Sequence, residues 1–446
     1  MRKLILIISV CVACSPAFTQ SVFTKVDELL SAYSKANKFN GTALIAQKGK
    51  VLLEKGYGLK DVSETSPNEV NTIYQLGSVT KQFTAAIILH LQEQRKLSVK
   101  DKLGKYFPDF PNGNKITIEN LLTHTSGLYN YTNDNKFMAN EITNSYTRDK
   151  IMALFKDKLL DFEPGTKWSY SNSGYSMLGY IIEKVTGKPF EQVMHEMILQ
   201  PLHMDHSGFD FTHLKSPDKA TGYLTLNDNT KTVAPVVDSS ISFAAGALYS
   251  TVEDLYKWDL SIYNNTILKP ESWNAAFTPY KDKYGYGWFL DTMFNRKVTM
   301  HGGGIHGFNS NMFRIPQEQL VIILLNNKNN PALDEITKAL AAIALNEKYE
   351  IKKEHETVNV PDTVLQTYAG EYELAPAFKI IVSFQNGVLK GQATGQPPFE
   401  LFAEKENFFY LKVVNAQVEF FKGDDGKIDH LVLYQNGGKL PGKKIK

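Results

Sequence analysis

A serine and a lysine three residues apart, Ser78 and Lys81, stand just before the long apolar segment 83–91. Residues with this spacing share one face of an α-helix, so the amine can reach the hydroxyl within a single turn. An amine held there can take the hydroxyl proton and make Ser78 a nucleophile for acyl transfer. The pair alone is weak evidence, because Ser216 and Lys219 repeat it in a polar segment. Ser78 could instead be a helix-capping serine followed by a surface lysine.

Two further motifs carry groups that suit the same chemistry. Tyr170 and Asn172 form a Tyr-x-Asn motif just before a predicted helix, and His301 opens a His-Gly-Gly-Gly segment. A phenol can exchange a proton, and a carboxamide can both donate and accept hydrogen bonds. Other copies exist: Tyr-x-Asn at 131–133, 263–265 and 434–436, and His-x-Gly at 206–208. The signal therefore comes from the order, spacing and setting of the three motifs together.

Together the motifs resemble those of the serine β-lactamase and penicillin-binding-protein family, most closely its class C-like branch of β-lactamases, esterases and D-amino-acid peptidases. The segments 121–128 and 170–204 also resemble family signatures, and the resemblance covers about residues 25–345. It implies a serine hydrolase that forms an acyl-enzyme at Ser78. Lys81 and Tyr170 would share the proton transfers, and which of them is the base stays open.

The resemblance also implies the groups that hold the substrate. Asn172 would contact Lys81 on one side and a substrate amide on the other. The backbone N–H groups of Ser78 and Gly304 would form the oxyanion hole, and Gly303 would let the substrate approach the backbone.

His301 stands where β-lactamases and D-Ala-D-Ala carboxypeptidases of the family usually carry lysine. Histidine has an unperturbed pKa of about 6.5, so it is mostly neutral at pH 7 and would bind a substrate carboxylate less strongly. Family members with His-x-Gly here tend to be esterases, D-aminopeptidases and related amidases, so the resemblance implies small esters, or amides and peptides containing D-amino acids, rather than β-lactams. Arg314 could supply a positive charge instead, but a surface ion pair is its expected use. The Lys81 ammonium is expected to lower the pKa of Tyr170.

Two alternative functions remain open: a class C-like β-lactamase or D-Ala-D-Ala carboxypeptidase, and a catalytically silent protein that binds cell-wall fragments. The second is disfavoured because a binding protein has no chemical need for all four of Ser78, Lys81, Tyr170 and Asn172. An α/β-hydrolase is excluded by the lack of a Gly-x-Ser-x-Gly motif.

The remaining histidines are assigned no catalytic role. His124 is expected to hydrogen-bond neighbouring loops. His306 could line the mouth of the cleft or lie on a solvated loop. The cluster formed by His203, Asp205 and His206 lacks a fourth ligand, so no metal is predicted, and no other cofactor is expected.

Residues 1–20 combine a basic start with an apolar run, which predicts a secretory signal peptide. Both cysteines, Cys11 and Cys14, lie inside it, so the mature chain would have neither disulfide nor catalytic thiol. The expected location is periplasmic or secreted, with a lipoprotein anchor through Cys14 as the weaker alternative. Removing Arg2 and Lys3 lowers the formal net charge from +2 to 0.

A formal net charge near zero does not indicate a nucleic-acid partner. No apolar run after the predicted signal peptide is long enough to span a bilayer. The expected partner is a small-molecule or peptide substrate, with cell-wall fragments as one source. The oligomeric state is left open.

Residues 21–350 are predicted to form an α/β (α+β) serine hydrolase domain. Its antiparallel sheet would include the hairpin 42–56, paired with strands at 285–326. A mainly helical subdomain would occupy about 78–280, and the site would lie between the two. Covering helices are predicted near 25–37 and 332–348.

Residues 351–446 are predicted to form a second domain. A charged linker at 352–356 leads into short alternating strands separated by turn residues. These predict an antiparallel β-barrel of about six to eight strands that resembles the lipocalin-like domains appended to some family members. Stabilising the chain is its default role.

Overall fold

The computed structural model describes residues 16–227, 229–349, 357–376, 378–396, 398–411, 416–435 and 438–446. The chain divides into two compact units, Met1–Glu350 and Ile351–Lys446. Most of the predicted signal peptide, with Cys11 and Cys14, lies outside the described residues, and so does the predicted linker 352–356. Among the helices that are described, none is both long and apolar enough to cross a membrane.

The α-helices are α1 (Pro16–Lys35), α2 (Thr80–Glu93), α3 (Ile118–Leu122), α4 (Asn135–Asn140), α5 (Arg148–Ala153), α6 (Asn172–Thr186), α7 (Phe190–Met194), α8 (Ser239–Gly246), α9 (Val252–Tyr263), α10 (Pro270–Ala276), α11 (Leu333–Leu345) and α12 (Asp362–Leu365). The strands of the first unit are β1 (Gly41–Gln47), β2 (Lys50–Tyr57), β3 (Leu59–Asp61), β4 (Ser66–Pro67), β5 (Tyr74–Gln75), β6 (Tyr223–Leu226), β7 (Lys231–Val233), β8 (Tyr249–Ser250), β9 (Phe289–Met293), β10 (Arg296–Ile305), β11 (Phe308–Ile315) and β12 (Leu320–Asn326). Those of the second are β13 (Gly370–Ala375), β14 (Phe378–Gln385), β15 (Val388–Ala393), β16 (Phe399–Lys405), β17 (Phe408–Tyr410), β18 (Ala416–Lys422), β19 (Ile428–Gln435) and β20 (Gly438–Lys444).

The main sheet of the first unit is antiparallel and has the order β2-β1-β12-β11-β10-β9. Its first hairpin turns at Lys48 and Gly49, whose φ values of 51° and 74° suit a two-residue turn that follows the twist of the strands. β1 then pairs with β12 from Gly41 opposite Asn326 to Gln47 opposite Leu320. The predicted sheet is therefore confirmed.

Helices cover both faces of this sheet, and alternate residues of β12 pack against the helices on opposite faces. Val321, Ile323 and Leu325 belong to the apolar cluster formed with the helical subdomain. Ile322 and Leu324, which point to the other face, belong to the cluster formed with α1 and α11. Every residue of β12 is buried, which explains why its sequence is uniformly apolar rather than alternating.

The ends of the two covering helices differ from the prediction. The helix predicted at 25–37 starts earlier, at Pro16, and stops at Lys35, two residues before Asn37 with its φ of 55°. The helix predicted to reach 348 stops at Leu345, because Asn346 adopts a left-handed conformation with φ 53°.

The second unit is a closed barrel of eight strands, β13 to β20, in which each strand pairs antiparallel with the next along the chain. Pairing of Tyr372 with Lys444 joins the first strand to the last. Closure leaves no open sheet edge to be covered. Tyr368 precedes the barrel and stacks on Phe420 of its core, with ring centroids 4.5 Å apart. The predicted barrel is confirmed, at the upper end of the expected strand number.

Candidate active site

Ser78 lies in a short 3-10 turn, Gly77–Val79, that opens directly into α2. Gly77 has φ +56°, and a Cβ added to it would lie 2.9 Å from both the backbone N and O of Gly304 in β10. Glycine is therefore needed twice, for the left-handed turn and for close backbone approach. The hydroxyl of Ser310 donates to the carbonyl of Leu76 at 2.6 Å, which further ties the turn to β11.

Lys81 is fully buried, and its Nζ has three close oxygen neighbours. They are Ser78 Oγ at 3.0 Å, Asn172 Oδ1 at 2.8 Å and the backbone carbonyl of Ala245 at 2.8 Å. The last two oxygens can only accept a hydrogen bond, whereas the serine hydroxyl can also donate one. The predicted contact of Lys81 with Asn172 is present.

Burial lowers the pKa of Lys81 well below its ordinary range. A neutral amine has two hydrogens and one lone pair. The two hydrogens satisfy Asn172 Oδ1 and the Ala245 carbonyl, so the lone pair is left for the proton of Ser78. The ring centroids of Tyr170 and Tyr175 lie 4.8 and 5.3 Å from Nζ. These rings attract the protonated amine by about 1–2 kcal/mol. Desolvation of a buried ion costs more, several kcal/mol, so it outweighs that attraction. This geometry favours Lys81 as the base.

Tyr170 contacts the same serine from the other side, and its hydroxyl donates to Ser78 Oγ at 2.7 Å. Burial raises the pKa of Tyr170, and the hydrogen bond to Ser78 only partly offsets that rise. The expected lowering of this pKa by a Lys81 ammonium is wrong, since burial disfavours both the ammonium and the phenolate. Tyr170 is therefore a protonated donor in the resting site.

The orientation of the Asn172 carboxamide is set by Thr132 and Asn130. Asn172 Nδ2 donates to Thr132 Oγ1 at 3.0 Å, and the Thr132 hydroxyl donates to Asn130 Oδ1 at 3.0 Å. Because the amide hydrogens are used there, Asn172 Oδ1 faces Lys81.

Sequence reasoning missed both Thr132 and the carbonyl of Ala245. Thr132 lies inside 131–133, one of the other Tyr-x-Asn matches, which folds against the true one. A backbone carbonyl such as that of Ala245 has no residue-type signature at all.

His301 does not reach the open side of the site. Its side chain is buried, Nδ1 donates to the carbonyl of Gly302 at 2.6 Å, and Nε2 accepts from the Tyr284 hydroxyl at 3.0 Å. Burial, reinforced by the nearby Lys81, lowers the pKa of His301 to about 3. His301 is thus neutral, as expected, but both ring nitrogens are occupied by protein partners rather than facing a substrate.

His124 contacts the segment 169–171, which contains Tyr170, in line with the structural role predicted for it. Its Nδ1 accepts from the backbone N–H of Ser171 at 3.1 Å, and its backbone carbonyl accepts from Ser169 at 2.9 Å. Its ring packs against Tyr170 with a centroid separation of 4.3 Å. Burial lowers the pKa of His124 well below its usual range. It therefore positions Tyr170 without carrying charge.

The glycine segment of β10 lies along the serine turn. β9 pairs with β10 only as far as Met300, so the following residues have that edge free to face Gly77 and Ser78. Gly303 admits no side chain, because a Cβ would lie 1.9 Å from the Leu76 carbonyl. The backbone of Gly304 lies against Gly77, the residue before the nucleophile, so Gly304 is close enough to Ser78 for its N–H to serve in an oxyanion hole.

A cavity of about 400 Å³ opens beside Ser78. Its walls come from the sheet and from the helical subdomain, where the sequence predicted a site. It is lined by Gly77, Ser78, Tyr131, Thr132, Met138, Asn172, Val237, Ile241, Ser242, Ala245, Gly246, Gly304, Ile305, His306, Asn309 and Asn329. Of the two positions considered for His306, the cavity wall is the observed one.

Two other residues from the sequence lie apart from this site. Lys219 Nζ reaches the carbonyls of Thr212 and Leu214, so the second Ser-x-x-Lys forms no serine–lysine pair. Arg314 is buried and paired with buried Asp259, which corrects the expected surface ion pair. The aromatic rings around it exclude water.

The profile of the beta-lactamase family matches residues 26–346, and that of a domain of unknown function (DUF3471) matches residues 354–443. The chain is 28% identical over 438 residues to penicillin-binding protein 4* of Bacillus subtilis, covering 92% of this chain and 96% of that one. An octameric penicillin-binding protein homologue from Pyrococcus abyssi superposes with TM-score 0.69 at 25% identity, covering 94% of this chain and 99% of that one.

A D-stereospecific amidohydrolase from Streptomyces sp. shares the fold of the first unit. It superposes with TM-score 0.62 at 24% identity, over 73% of this chain and 99% of that one. The family profile covers well over half of the sequence and includes every residue of the site described above. The chain therefore belongs to the beta-lactamase family of serine hydrolases.

Proposed function

We propose that this protein is an exported serine hydrolase that forms an acyl-enzyme at Ser78. Its substrates are small esters, or amides and peptides that contain D-amino acids. The observation that carries the proposal is the double contact of Ser78 Oγ, with Lys81 Nζ at 3.0 Å and the Tyr170 hydroxyl at 2.7 Å. A silent binding protein would gain nothing from burying an amine that has no carboxylate partner beside a serine.

In the first half-reaction, Ser78 Oγ bonds to the substrate carbonyl carbon while its proton passes to Lys81 Nζ. The oxyanion accepts hydrogen bonds from the N–H groups of Ser78 and Gly304. Collapse breaks the bond to the leaving group, which takes a proton through Tyr170. Lys81 then restores the proton that Tyr170 gave up.

In the second half-reaction, water attacks the acyl carbon and gives up a proton to the same pair of residues. The acid leaves, and Ser78 Oγ regains its hydrogen. Each residue returns to its starting protonation state.

Substrate choice is supported by chemistry and by fold. His301 is neutral and enclosed, so it supplies no permanent charge for the carboxylate that β-lactams and D-Ala-D-Ala peptides carry. The fold is one that a D-stereospecific amidohydrolase also uses. A β-lactamase or D-Ala-D-Ala carboxypeptidase is the second candidate, supported by the penicillin-binding relatives.

The test is intact-mass detection of a covalent adduct after treatment with a fluorophosphonate, on the wild type and on folded Ser78→Ala. We expect an adduct on the wild type alone, together with ester hydrolysis that Ser78→Ala abolishes. An adduct on both proteins would mean that another serine is the nucleophile. Faster turnover of a chromogenic cephalosporin than of simple esters would favour the second candidate.

A further inference from the structure

The cavity beside Ser78 contains no lysine, arginine, aspartate or glutamate among the described residues that line it. Its one titratable imidazole, His306, is half-buried, and burial lowers the pKa of that ring, so it is neutral at pH 7. The cavity therefore offers no formal charge to a ligand.

Two basic side chains of this unit, Lys81 and Arg314, are buried and held by protein partners. Lys81 is buried behind Ser78, with its hydrogens used by Asn172 and Ala245. Arg314 is closed into its pair with Asp259. Neither side chain can reach a substrate carboxylate without breaking a buried contact.

The apolar residues that line the cavity include Met138, Val237, Ile241 and Ile305. Val237 and Ile241 are 3% and 2% exposed, so they form a fixed surface rather than mobile side chains at a rim. The polar groups of the cavity are uncharged amides and hydroxyls, such as those of Thr132 and Asn309. Such a surface stabilises an apolar body and penalises an unpaired charge.

We infer that the cavity selects substrates whose acyl group is uncharged and largely apolar, and that acyl groups ending in a carboxylate or an ammonium are rejected. This inference rests on the proposed acyl-enzyme and narrows its substrates to esters and amides whose acyl group has no free amino group or carboxylate. A volume of about 400 Å³ is at the small end of ligand pockets, which suits an acyl group of modest length rather than a long peptide.

The test compares three p-nitrophenyl esters of equal acyl length on the full protein: the hexanoate, the adipate monoester with a terminal carboxylate, and the 6-aminohexanoate with a terminal ammonium. The rate with folded Ser78→Ala is subtracted from each. We expect kcat/KM for the hexanoate to exceed both others by at least about 30-fold. Comparable or faster turnover of a charged ester would overturn the inference while leaving the acyl-enzyme intact. No Ser78-dependent turnover of any ester would overturn the proposed function itself.

A second test adds a positive charge to the residues that line the cavity. His306→Lys should raise kcat/KM for the adipate monoester relative to the hexanoate by about tenfold or more, because a cation would then face the carboxylate. The matched control is His213→Lys, which adds the same charge at a side chain that is 79% exposed and outside the cavity lining. An unchanged ratio in folded His306→Lys, or an equal rise in the control, would show that the acyl group does not occupy this cavity.

Discussion

At the scale of single residues, the protonation state of Lys81 decides how Ser78 is activated. Two of its three oxygen neighbours accept only, so a neutral amine satisfies both and still has a lone pair for the serine. Protonation would remove that lone pair. The ability of Lys81 to act as a base therefore depends on its burial, which lowers its pKa, as well as on its being a lysine.

The first prediction concerns pH. Because burial lowers the pKa of Lys81 well below its ordinary range, kcat/KM should be high near neutrality and fall as the pH drops through that pKa. The measurement is a pH–rate profile on p-nitrophenyl hexanoate between about pH 5 and pH 10 with the Ser78→Ala background subtracted.

Lys81→Arg is the control, since arginine stays charged throughout and should be inactive at every pH. An acidic limb near the ordinary lysine pKa would contradict a neutral resting Lys81. His301 would not obscure the result, because its own pKa is lowered to about 3.

Tyr170 gives the second prediction. Tyr170→Phe removes the hydroxyl that donates to Ser78 and should lower kcat by about 100-fold or more, with little change in KM. Tyr146→Phe is the matched control, because its hydroxyl bonds only to the half-buried carboxylate of Glu141 among its described partners. Near-normal kcat in Tyr170→Phe would remove Tyr170 from the proton transfers.

At the scale of elements, the site depends on how closely the serine turn approaches β10. Gly77 and Gly303 are the contact points, and both exclude a side chain because backbone atoms occupy its place. The oxyanion hole would join these same two elements. Their separation should therefore affect stability and turnover together.

The third prediction compares two glycines with positive φ. Gly77→Ala and Gly49→Ala both force alanine into the left-handed region, at about 1 kcal/mol each. Gly49 has nothing within 4 Å of an added Cβ, whereas Gly77 would meet the backbone of Gly304 at 2.9 Å. Gly77→Ala should cost about 1–3 kcal/mol more in unfolding free energy and also lose activity.

Urea denaturation measures the unfolding free energy of the two variants, and an ester assay measures their turnover. Gly49→Ala should keep wild-type turnover, because it lies in the hairpin between β1 and β2. Equal stability losses, with full activity in Gly77→Ala, would mean that β10 can move away from the turn without consequence.

At the scale of the whole molecule, each compact unit has its own apolar core. Two apolar clusters belong to the first unit and one to the barrel, and no described residue is shared between units. Because each unit has a core of its own, we expect each to unfold cooperatively by itself.

The fourth prediction follows from these separate cores. Leu324→Ala in β12 and Leu431→Ala in β19 each remove a side chain that is fully buried, at about 2–5 kcal/mol. Each should lower the unfolding temperature of its own unit and leave that of the other unchanged. Scanning calorimetry measures both transitions, and only Leu324→Ala should move the one at which ester turnover is lost. A joint shift in either variant would mean that the two units unfold as one.

Local sequence patterns were enough to predict the strands and the residue types of the site. Apolar runs and turn residues predicted the sheet at 42–56 and 285–326 and the barrel after 351, because period and composition follow from which side chains must be buried. The spacing of Ser78 and Lys81 placed a nucleophile and an amine on one turn of helix, a purely local matter.

Tertiary structure alone decided the charges and the partners. Burial lowers the pKa of Lys81 and raises that of Tyr170, against the expectation for Tyr170, because solvation depends on every segment that packs around a group. Arg314 was expected at the surface, yet packing encloses it with Asp259. The carbonyl of Ala245 reaches Lys81 from 164 residues away, and a backbone oxygen leaves no trace in the residue pattern.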